Sequence, residues 1–149
     1  MSRSWMLAAV AVALQLGCRR DYAAPGQASL HARSDLQVQV DSQLATRIWC
    51  ATAVVHFTVR NTSQRTLHVT GHAAGAEGTL ERREGEAWSL ERSACDSGRA
   101  VFPIALALGA IMRGVLLAPR SGTYRLGVTY DEGGAQPAPV AYSAPFETP

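Results

Sequence analysis

The sequence predicts an all-β domain, folded as a sandwich of about seven short antiparallel strands. The first observation is that apolar and polar residues alternate along most segments after residue 35, as they do along half-buried strands. The second is that turn-forming residues separate these segments at short intervals. The third is a globular composition, since 47% of the 149 residues are hydrophobic and 17% are charged, with room for one domain.

The first three strands are recognised by apolar residues at every second position. These residues are Leu36, Val38 and Val40 in the first strand, Val55, Phe57 and Val59 in the second, and Leu67 and Val69 in the third. The polar segment from Asn61 to Gln64 predicts a turn between the second and third strands. The segment from His72 to Gly78 is rich in glycine and alanine and predicts a loop.

The segment from Leu80 to Leu90 predicts a hairpin that turns at Gly85. We expect Leu80, Trp88 and Leu90 to share its buried face. The charged residues of the same region alternate in sign and predict a solvated, salt-bridged surface rather than a catalytic pair. These residues are Glu81, Glu84, Glu86 and Glu91 with Arg82, Arg83 and Arg92.

The segment from Ile104 to Leu117 is compatible with two structures. Either one helical turn precedes a strand, or a strand is broken at Gly109. After a turn at Pro119, alternation predicts a strand from Thr123 to Tyr130, and the last strand is expected between Pro139 and Phe146.

Seven alternating strands in about 110 residues are typical of an immunoglobulin-like sandwich. The order VRNTSQRTLHV … LERREGEAW … C … APRSGTYRLGVTY … YSAPF also resembles small immunoglobulin-like domains of bacterial lipoproteins of unknown function. The resemblance covers roughly residues 54–146 and implies such a sandwich over residues 35–149. It also places Tyr124 at a tyrosine corner, with its hydroxyl bonded to nearby backbone. The chain departs from antibody-type domains, because no cysteine follows two residues after Tyr124.

Residues 1–17 are predicted to be a lipoprotein signal peptide. Arg3 precedes an apolar stretch over residues 5–16, and about twelve residues are too few for a permanent membrane span. The segment Leu16-Gly17-Cys18 resembles a bacterial lipobox, in which the cysteine thiol is diacylated and becomes the new N-terminus. Gln15 departs from that pattern, which prefers leucine at this position.

The lipobox resemblance implies a lipidated Cys18 and membrane attachment through it, with residues 18–34 as a flexible tether of small and polar residues. Arg19 and Arg20 follow the cysteine where aspartate would resemble an inner-membrane retention signal, so the implied location is the outer membrane, facing the periplasm. The segment Ala11-Val12-Ala13 suits an ordinary signal peptidase, and cleavage there would give a secreted protein instead.

The chain has three cysteines, which leaves one thiol over in an oxidising compartment. If Cys18 carries lipid, Cys50 and Cys95 remain to form a structural disulfide. The loop-entropy relation predicts that this disulfide stabilises the folded state by about 4 kcal/mol. No Cys-x-x-Cys pair is present, so a redox role is not expected.

Composition and motifs exclude several functions. All fourteen basic residues are arginine, which excludes a Walker loop, a Schiff-base lysine and kinase chemistry. A formal charge of +2 is too near neutral for a nucleic-acid-binding domain. The Asp96-Ser97-Gly98 sequence lacks the context of a serine protease and predicts a polar loop. We therefore expect no catalytic residues and no cofactor.

Four further residues are candidates for ligand binding. His68 and His72 have a spacing that serves metal binding on a helix, but on a strand it separates the side chains by about 13 Å. We therefore expect no metal site there. Trp88 is expected in the core, whereas Trp49 either packs inside or forms an exposed contact.

The sequence thus predicts a non-catalytic, lipid-anchored envelope protein whose sandwich is a binding or structural module. Its partner is expected to be another envelope protein, bound through the loops over residues 71–78 and 131–137. The alternatives are a secreted or periplasmic protease-inhibitor-like domain and a periplasmic metal-binding protein that uses His68 and His72.

Overall fold

The computed structural model describes residues 35–95, 98–131, 133 and 137–149. The predicted signal peptide, Cys18 and the tether over residues 18–34 lie outside the described residues. The described chain is all-β, as predicted, and its strands form two antiparallel sheets that do not close into a barrel. In this part of the chain, no helix has the length and hydropathy of a membrane span.

Eleven strands are present in the described residues, more than the seven that alternation predicted, because several are only two to five residues long. They are β1 (Leu36–Ala45), β2 (Ala53–Asn61), β3 (Leu67–His72), β4 (Gly75–Ala76), β5 (Thr79–Glu84), β6 (Ala87–Glu91), β7 (Phe102–Leu106), β8 (Ile111–Ala118), β9 (Gly122–Asp131), β10 (Val140–Tyr142) and β11 (Phe146–Thr148).

The smaller sheet has the strand order β1-β2-β8, and the larger one has β4-β3-β9-β5-β6. In the larger sheet, β7 also pairs with β3, and β10 and β11 pair with β9. The core lies between the sheets and takes every second residue of the central strands, as the alternation predicted. Its largest fully buried side chains include Phe57 of β2, Leu67 of β3, and Tyr124 and Leu126 of β9.

The segment from Ile104 to Leu117 is a strand broken at Gly109, and the helical alternative is wrong. Gly109 has a φ of 71°, a left-handed conformation that glycine adopts without strain, and it lies in the turn between β7 and β8. The glycine- and alanine-rich segment after β3 also contains a short strand, β4. Gly75 of this strand lies against the carbonyl of Arg113, where a side chain would not fit.

The β5–β6 hairpin is present, but its buried face differs from the prediction. Glu84 pairs with Ala87, which places Leu80 opposite Glu91 and on the other face from Trp88 and Leu90. Leu80 is buried in the core, whereas Leu90 is 53% exposed and Trp88 is half-buried on the outer face. The prediction that Leu80, Trp88 and Leu90 share a buried face is therefore wrong, since a tight turn inverts side-chain parity between its two strands.

The predicted disulfide between Cys50 and Cys95 is present, with a Cα–Cα distance of 5.8 Å. It joins the β1–β2 connection of the smaller sheet to the segment that follows β6 of the larger one. The hydroxyl of Ser93 donates a hydrogen bond to the Cys50 carbonyl at 3.2 Å, and both residues are buried. The two sheets are therefore linked covalently at the end where β2 begins.

A buried asparagine links the sheets at the other end of β2. The Asn61 amide group donates hydrogen bonds to the carbonyls of Arg65 at 2.7 Å and Leu106 at 2.8 Å. Its side-chain oxygen accepts hydrogen bonds from the backbone nitrogen and hydroxyl of Ser63 at 2.9 and 2.7 Å. The prediction of a turn here is confirmed, and the Asn61 side chain organises it.

We expect Asn61→Ala to lower the free energy of unfolding by about 2–4 kcal/mol, because the buried Leu106 carbonyl would lose its bond from Asn61 and the turn would lose the bonds that join Asn61 to Arg65 and Ser63. Urea denaturation followed by circular dichroism measures this change. The exposed neighbour Gln64 provides the control, and Gln64→Ala is expected to change stability by less than about 0.5 kcal/mol. Equal effects of the two substitutions would contradict the role of Asn61.

Candidate binding surface on the larger sheet

Tyr124 and Arg125 are consecutive residues of β9 and point to opposite faces of the larger sheet. Tyr124 is fully buried, and its hydroxyl donates a hydrogen bond to the Arg120 carbonyl at 2.9 Å. This contact has the form of a tyrosine corner and fixes the turn that precedes β9. Burial raises the pKa of the Tyr124 hydroxyl, with the nearby charge of Glu91 as the second cause.

Arg125 lies on the outer face between two aromatic rings. The carbon of its guanidinium is 4.7 Å from the centre of the Trp88 ring and 4.1 Å from the centre of the Tyr142 ring. Glu81 completes the cluster, since its carboxylate accepts hydrogen bonds from Arg125 Nε at 2.7 Å and from the Tyr142 hydroxyl at 3.0 Å. We call Trp88, Arg125, Tyr142 and Glu81 the aromatic–arginine stack.

The strand register explains why these residues meet. Glu81 of β5 is directly opposite Arg125 of β9, and Tyr142 of β10 is opposite Gly127. A side-chain carbon on Gly127 would lie 2.9 Å from the Tyr142 ring, too close for a normal contact. Because Gly127 leaves this space free, the tyrosine ring lies close over the backbone of β9 and reaches the guanidinium of Arg125.

The stack is preorganised and remains partly open to solvent. A cation–π contact contributes about 0.5–2 kcal/mol, depending on its desolvation, and Arg125 and Tyr142 both donate hydrogen bonds to Glu81 within the stack. Burial raises the pKa of the Tyr142 hydroxyl, and its hydrogen bond to Glu81 raises it further. Tyr142 is nevertheless 42% exposed, and the apolar residues Leu90 and Val140 are exposed on the same sheet face.

A cleft of about 420 Å³ borders the stack at Leu90. It lies between β6 and β8, the strands that form one edge of each sheet. Val115 and Leu117 supply apolar side chains to its wall, whereas the exposed residues Arg92 and Arg99 supply positive charge. The surface near the stack therefore combines aromatic, apolar and cationic groups.

The opposite face of the β5–β6 hairpin carries an ion-pair network, which differs from the predicted solvated surface because Glu91 is only 9% exposed and its main partner, Arg120, lies outside the hairpin. Glu91 accepts hydrogen bonds from Arg120 Nε at 2.5 Å and from its Nη2 at 3.1 Å, and Arg82 Nε lies 3.7 Å from the same carboxylate. Arg82 also pairs with Glu84. The hydrogen bond from Arg120 lowers the pKa of Glu91 below its ordinary value of 4.5, although burial of the carboxyl opposes the shift.

The histidines considered for metal binding lie on β3, but the structure does not complete a site around them. His68 is exposed, whereas His72 accepts a hydrogen bond from the Ala74 backbone nitrogen at 3.1 Å and lies 3.4 Å from the Glu77 carboxylate. Among the described residues, no group of three histidine, cysteine, aspartate or glutamate side chains could hold a metal ion.

Several other sequence predictions concern residues outside the described part of the chain. They involve Asp96 and Ser97, and most of the predicted binding loop over residues 131–137. Trp49 is described and is 84% exposed, so the exposed alternative is correct for this residue. Sequence reasoning missed the roles of Arg125 and Tyr142. The sequence feature that could have pointed to these two residues is that each is a polar or aromatic residue at an outward position of a predicted strand.

No protein-family model matches the sequence, and no curated protein matches it significantly. On the larger sheet, the aromatic–arginine stack has the strongest features of a binding site, because tryptophan, tyrosine and arginine are the residues most often found at the energetic centres of protein interfaces.

We expect Arg125→Met to lower the free energy of unfolding by about 1–2 kcal/mol, because it removes both cation–π contacts and leaves Glu81 without its cation. The pKa of Tyr142 should rise further, since the positive charge of Arg125 lowers it in the wild-type protein. Urea denaturation and ultraviolet titration of tyrosine measure these two effects. Arg83→Met is the control, because the exposed Arg83 side chain bonds only to the Gly85 carbonyl among the described residues. It should leave both quantities nearly unchanged.

The Glu91 network predicts a dependence of stability on acid pH. Because the pKa of Glu91 is lower in the folded state than its ordinary value of 4.5, its stabilising contribution is complete above that value and is lost as the pH falls through the folded-state pKa. The urea midpoint of the wild-type protein should therefore decrease between about pH 5 and pH 3, and that of Glu91→Gln should decrease less. The exposed residue Glu86 supplies the control, and a Glu86→Gln protein with the same flattened profile would contradict this prediction.

Proposed function

We propose that this chain is a non-catalytic, lipid-anchored protein of the bacterial envelope whose β-sandwich binds another envelope protein. The observation that carries the binding role is the aromatic–arginine stack, which holds two aromatic rings and an arginine in fixed positions on an exposed sheet face. Side chains that are already ordered lose little conformational entropy when a partner binds.

The surroundings of the stack favour a protein partner. Leu90 and Val140 extend the apolar area beside the rings, and Arg83 adds an exposed positive charge on the same face. The cleft next to Leu90 continues this surface toward Arg92 and Arg99. We infer a partner that offers apolar side chains to the stack and carboxylates to the arginines around it.

The proposed absence of catalysis is supported by the state of the carboxylates. Glu81 accepts hydrogen bonds from Arg125 and Tyr142, and Glu91 accepts hydrogen bonds from Arg120. The hydrogen bond from Arg120 lowers the pKa of Glu91, so this carboxylate is a weaker base than usual. In this proposal, Glu81 and Glu91 therefore stabilise the sheet.

The proposed anchor rests on the sequence. The lipobox-like segment ending at Cys18 and the small, polar residues 18–34 favour a domain attached to the outer membrane by a lipidated N-terminus and facing the periplasm. The pairing of Cys50 with Cys95 supports this proposal, because it leaves Cys18 as the one cysteine outside a disulfide.

Site-specific photo-crosslinking of the full chain in bacterial cells tests the proposal. A photoreactive residue at Leu90, beside the stack, is expected to give a discrete adduct in the membrane fraction. Trp88→Ala or Tyr142→Ala in the same chain should remove most of that adduct. Intact mass measurement of the chain from the same fraction should give a start at Cys18 with added acyl groups.

The control places the photoreactive residue at Gln37, which is exposed on β1 of the smaller sheet. An identical adduct from both positions, or an adduct from Leu90 that survives both substitutions, would contradict the proposed binding face. A chain that starts after Ala13 and carries no lipid would contradict the anchor. The crosslinks from Leu90 would still decide whether the proposed binding face is correct.

A further inference from the structure

The connection between β1 and β2 is held in a fixed conformation. The Thr46 backbone nitrogen donates a hydrogen bond to the Thr52 carbonyl at 2.8 Å, and that of Ala51 donates one to the Ile48 carbonyl at 3.0 Å. The disulfide then ties the buried residue Cys50 to the larger sheet. The loop therefore presents its side chains from a rigid backbone.

This rigid loop exposes large apolar side chains. Trp49 is 84% exposed, Leu44 is 56% exposed and Ile48 is 44% exposed, although all three lie within six residues. Fully burying a large apolar side chain is favourable by about 1.5–3 kcal/mol, and the folded domain gains little of this for Trp49. Such a concentration of exposed apolar side chains at the end of β1 and on the loop that follows it marks a contact surface.

The outer face of the smaller sheet carries further apolar side chains at the end where this loop joins β1 to β2. Leu44 pairs with Val54, and Val54 pairs with Leu117, so these three outward residues form one row across the sheet. Val115, in the next row of β8, is 46% exposed. We call the loop residues Ile48 and Trp49, together with the row Leu44, Val54 and Leu117, the apolar end.

We propose that the apolar end contacts the surface of a membrane that contains anionic lipids. Tryptophan favours the membrane–water interface, where its ring lies among acyl chains and its N–H group remains hydrated. Arg47 lies two residues before Trp49 on the same loop, is exposed, and has no ion pair among the described residues, so it is available to an anionic headgroup. A protein partner would require a complementary apolar surface, whereas a lipid surface accepts a protruding loop directly.

Chain length is compatible with this contact. The inference rests on the proposed anchor at Cys18, and the 17 residues over 18–34 extend to at most about 60 Å. Strand β1 has 10 residues and separates the N-terminal end of the domain from the apolar end by about 34 Å. The tether is therefore long enough for the apolar end to reach the membrane that carries the lipid.

Tryptophan fluorescence of the full chain in vesicles tests the inference. The proposed chain that starts at Cys18 has two tryptophans, so Trp88→Phe leaves Trp49 alone and Trp49→Phe leaves Trp88 alone. In vesicles of phosphatidylcholine and phosphatidylglycerol, we expect Trp49 emission to shift to shorter wavelength. Phospholipids brominated on their acyl chains should quench it. The matched chain with Trp88 should show neither effect.

A charge variant tests the role of the anionic headgroup. Removing one arginine charge near such a surface is worth about 1 kcal/mol, so Arg47→Gln should lower the ratio of contacting to free loop about fivefold in vesicles with phosphatidylglycerol. Neutral phosphatidylcholine vesicles should show no such difference. Arg60→Gln is the control, because Arg60 is exposed at the opposite end of β2 and should leave the ratio unchanged.

Each contrary result has a distinct meaning. Unquenched Trp49 emission from a chain that stays with the vesicles would overturn the membrane contact and leave the anchor intact. Release of the chain by washing would overturn the anchor. The membrane contact would then be decided by whether added vesicles of brominated phospholipid quench the Trp49 emission. If Trp49 emission shifts to shorter wavelength without vesicles when the protein concentration is raised, the apolar end contacts a second copy of the chain, and the inference is overturned. Inhibition of a protease that is lost in Trp49→Ala would equally overturn it and assign the loop to inhibition.

Discussion

The fixation of β2 at both of its ends is the constraint on which the rest of this structure depends. At one end, Asn61 bonds to the turn before β3 and to Leu106 of β7, and both of these strands belong to the larger sheet. At the other end, the disulfide at Cys50 joins the same two sheets covalently. Because β2 is the central strand of the smaller sheet, holding both of its ends fixes how that sheet lies on the larger one. The buried polar groups of Asn61 are satisfied, so this fixation does not leave an unpaired group in the core.

Successive side chains of β9 point to opposite faces of the larger sheet, so the contacts of its core residues also fix the positions of its outward residues. Tyr124 is locked inside by its hydrogen bond to Arg120, and Arg125 must therefore point outward at the next position. Glu81 and Tyr142 then approach from neighbouring strands in the register that the core dictates. Arg120 also pairs with Glu91, which ties the turn before β9 to the edge strand β6. The positions of the exposed aromatic rings are thus consequences of side chains that lie on the other face of the sheet.

The strands could be predicted from the sequence wherever one face is buried, because apolar and polar residues alternate along a strand that has one buried and one exposed face. It failed at Leu90, where the pairing of Glu84 with Ala87 inverts parity across the turn and the edge strand has an exposed face. It recognised Asn61 as a turn residue but not as a buried link, since its partner Leu106 is 45 positions away. The aromatic–arginine stack escaped prediction for the same reason. Glu81 lies 44 positions from Arg125 and 61 from Tyr142, and only strand pairing brings such distant residues together.

The apolar end differs from the stack in what holds it. The stack gains stability from its own contacts, so folding alone accounts for the order of its side chains. Trp49 gains little from folding, because most of its surface stays in water, yet the loop that carries it is closed by hydrogen bonds and held by the disulfide at the buried residue Cys50. Ordering a loop opposes folding by about 1–2 kcal/mol for each residue fixed. When a rigid loop exposes a tryptophan, the free energy of burying that ring is still available to an external surface, and this is the physical basis for assigning the apolar end to contact.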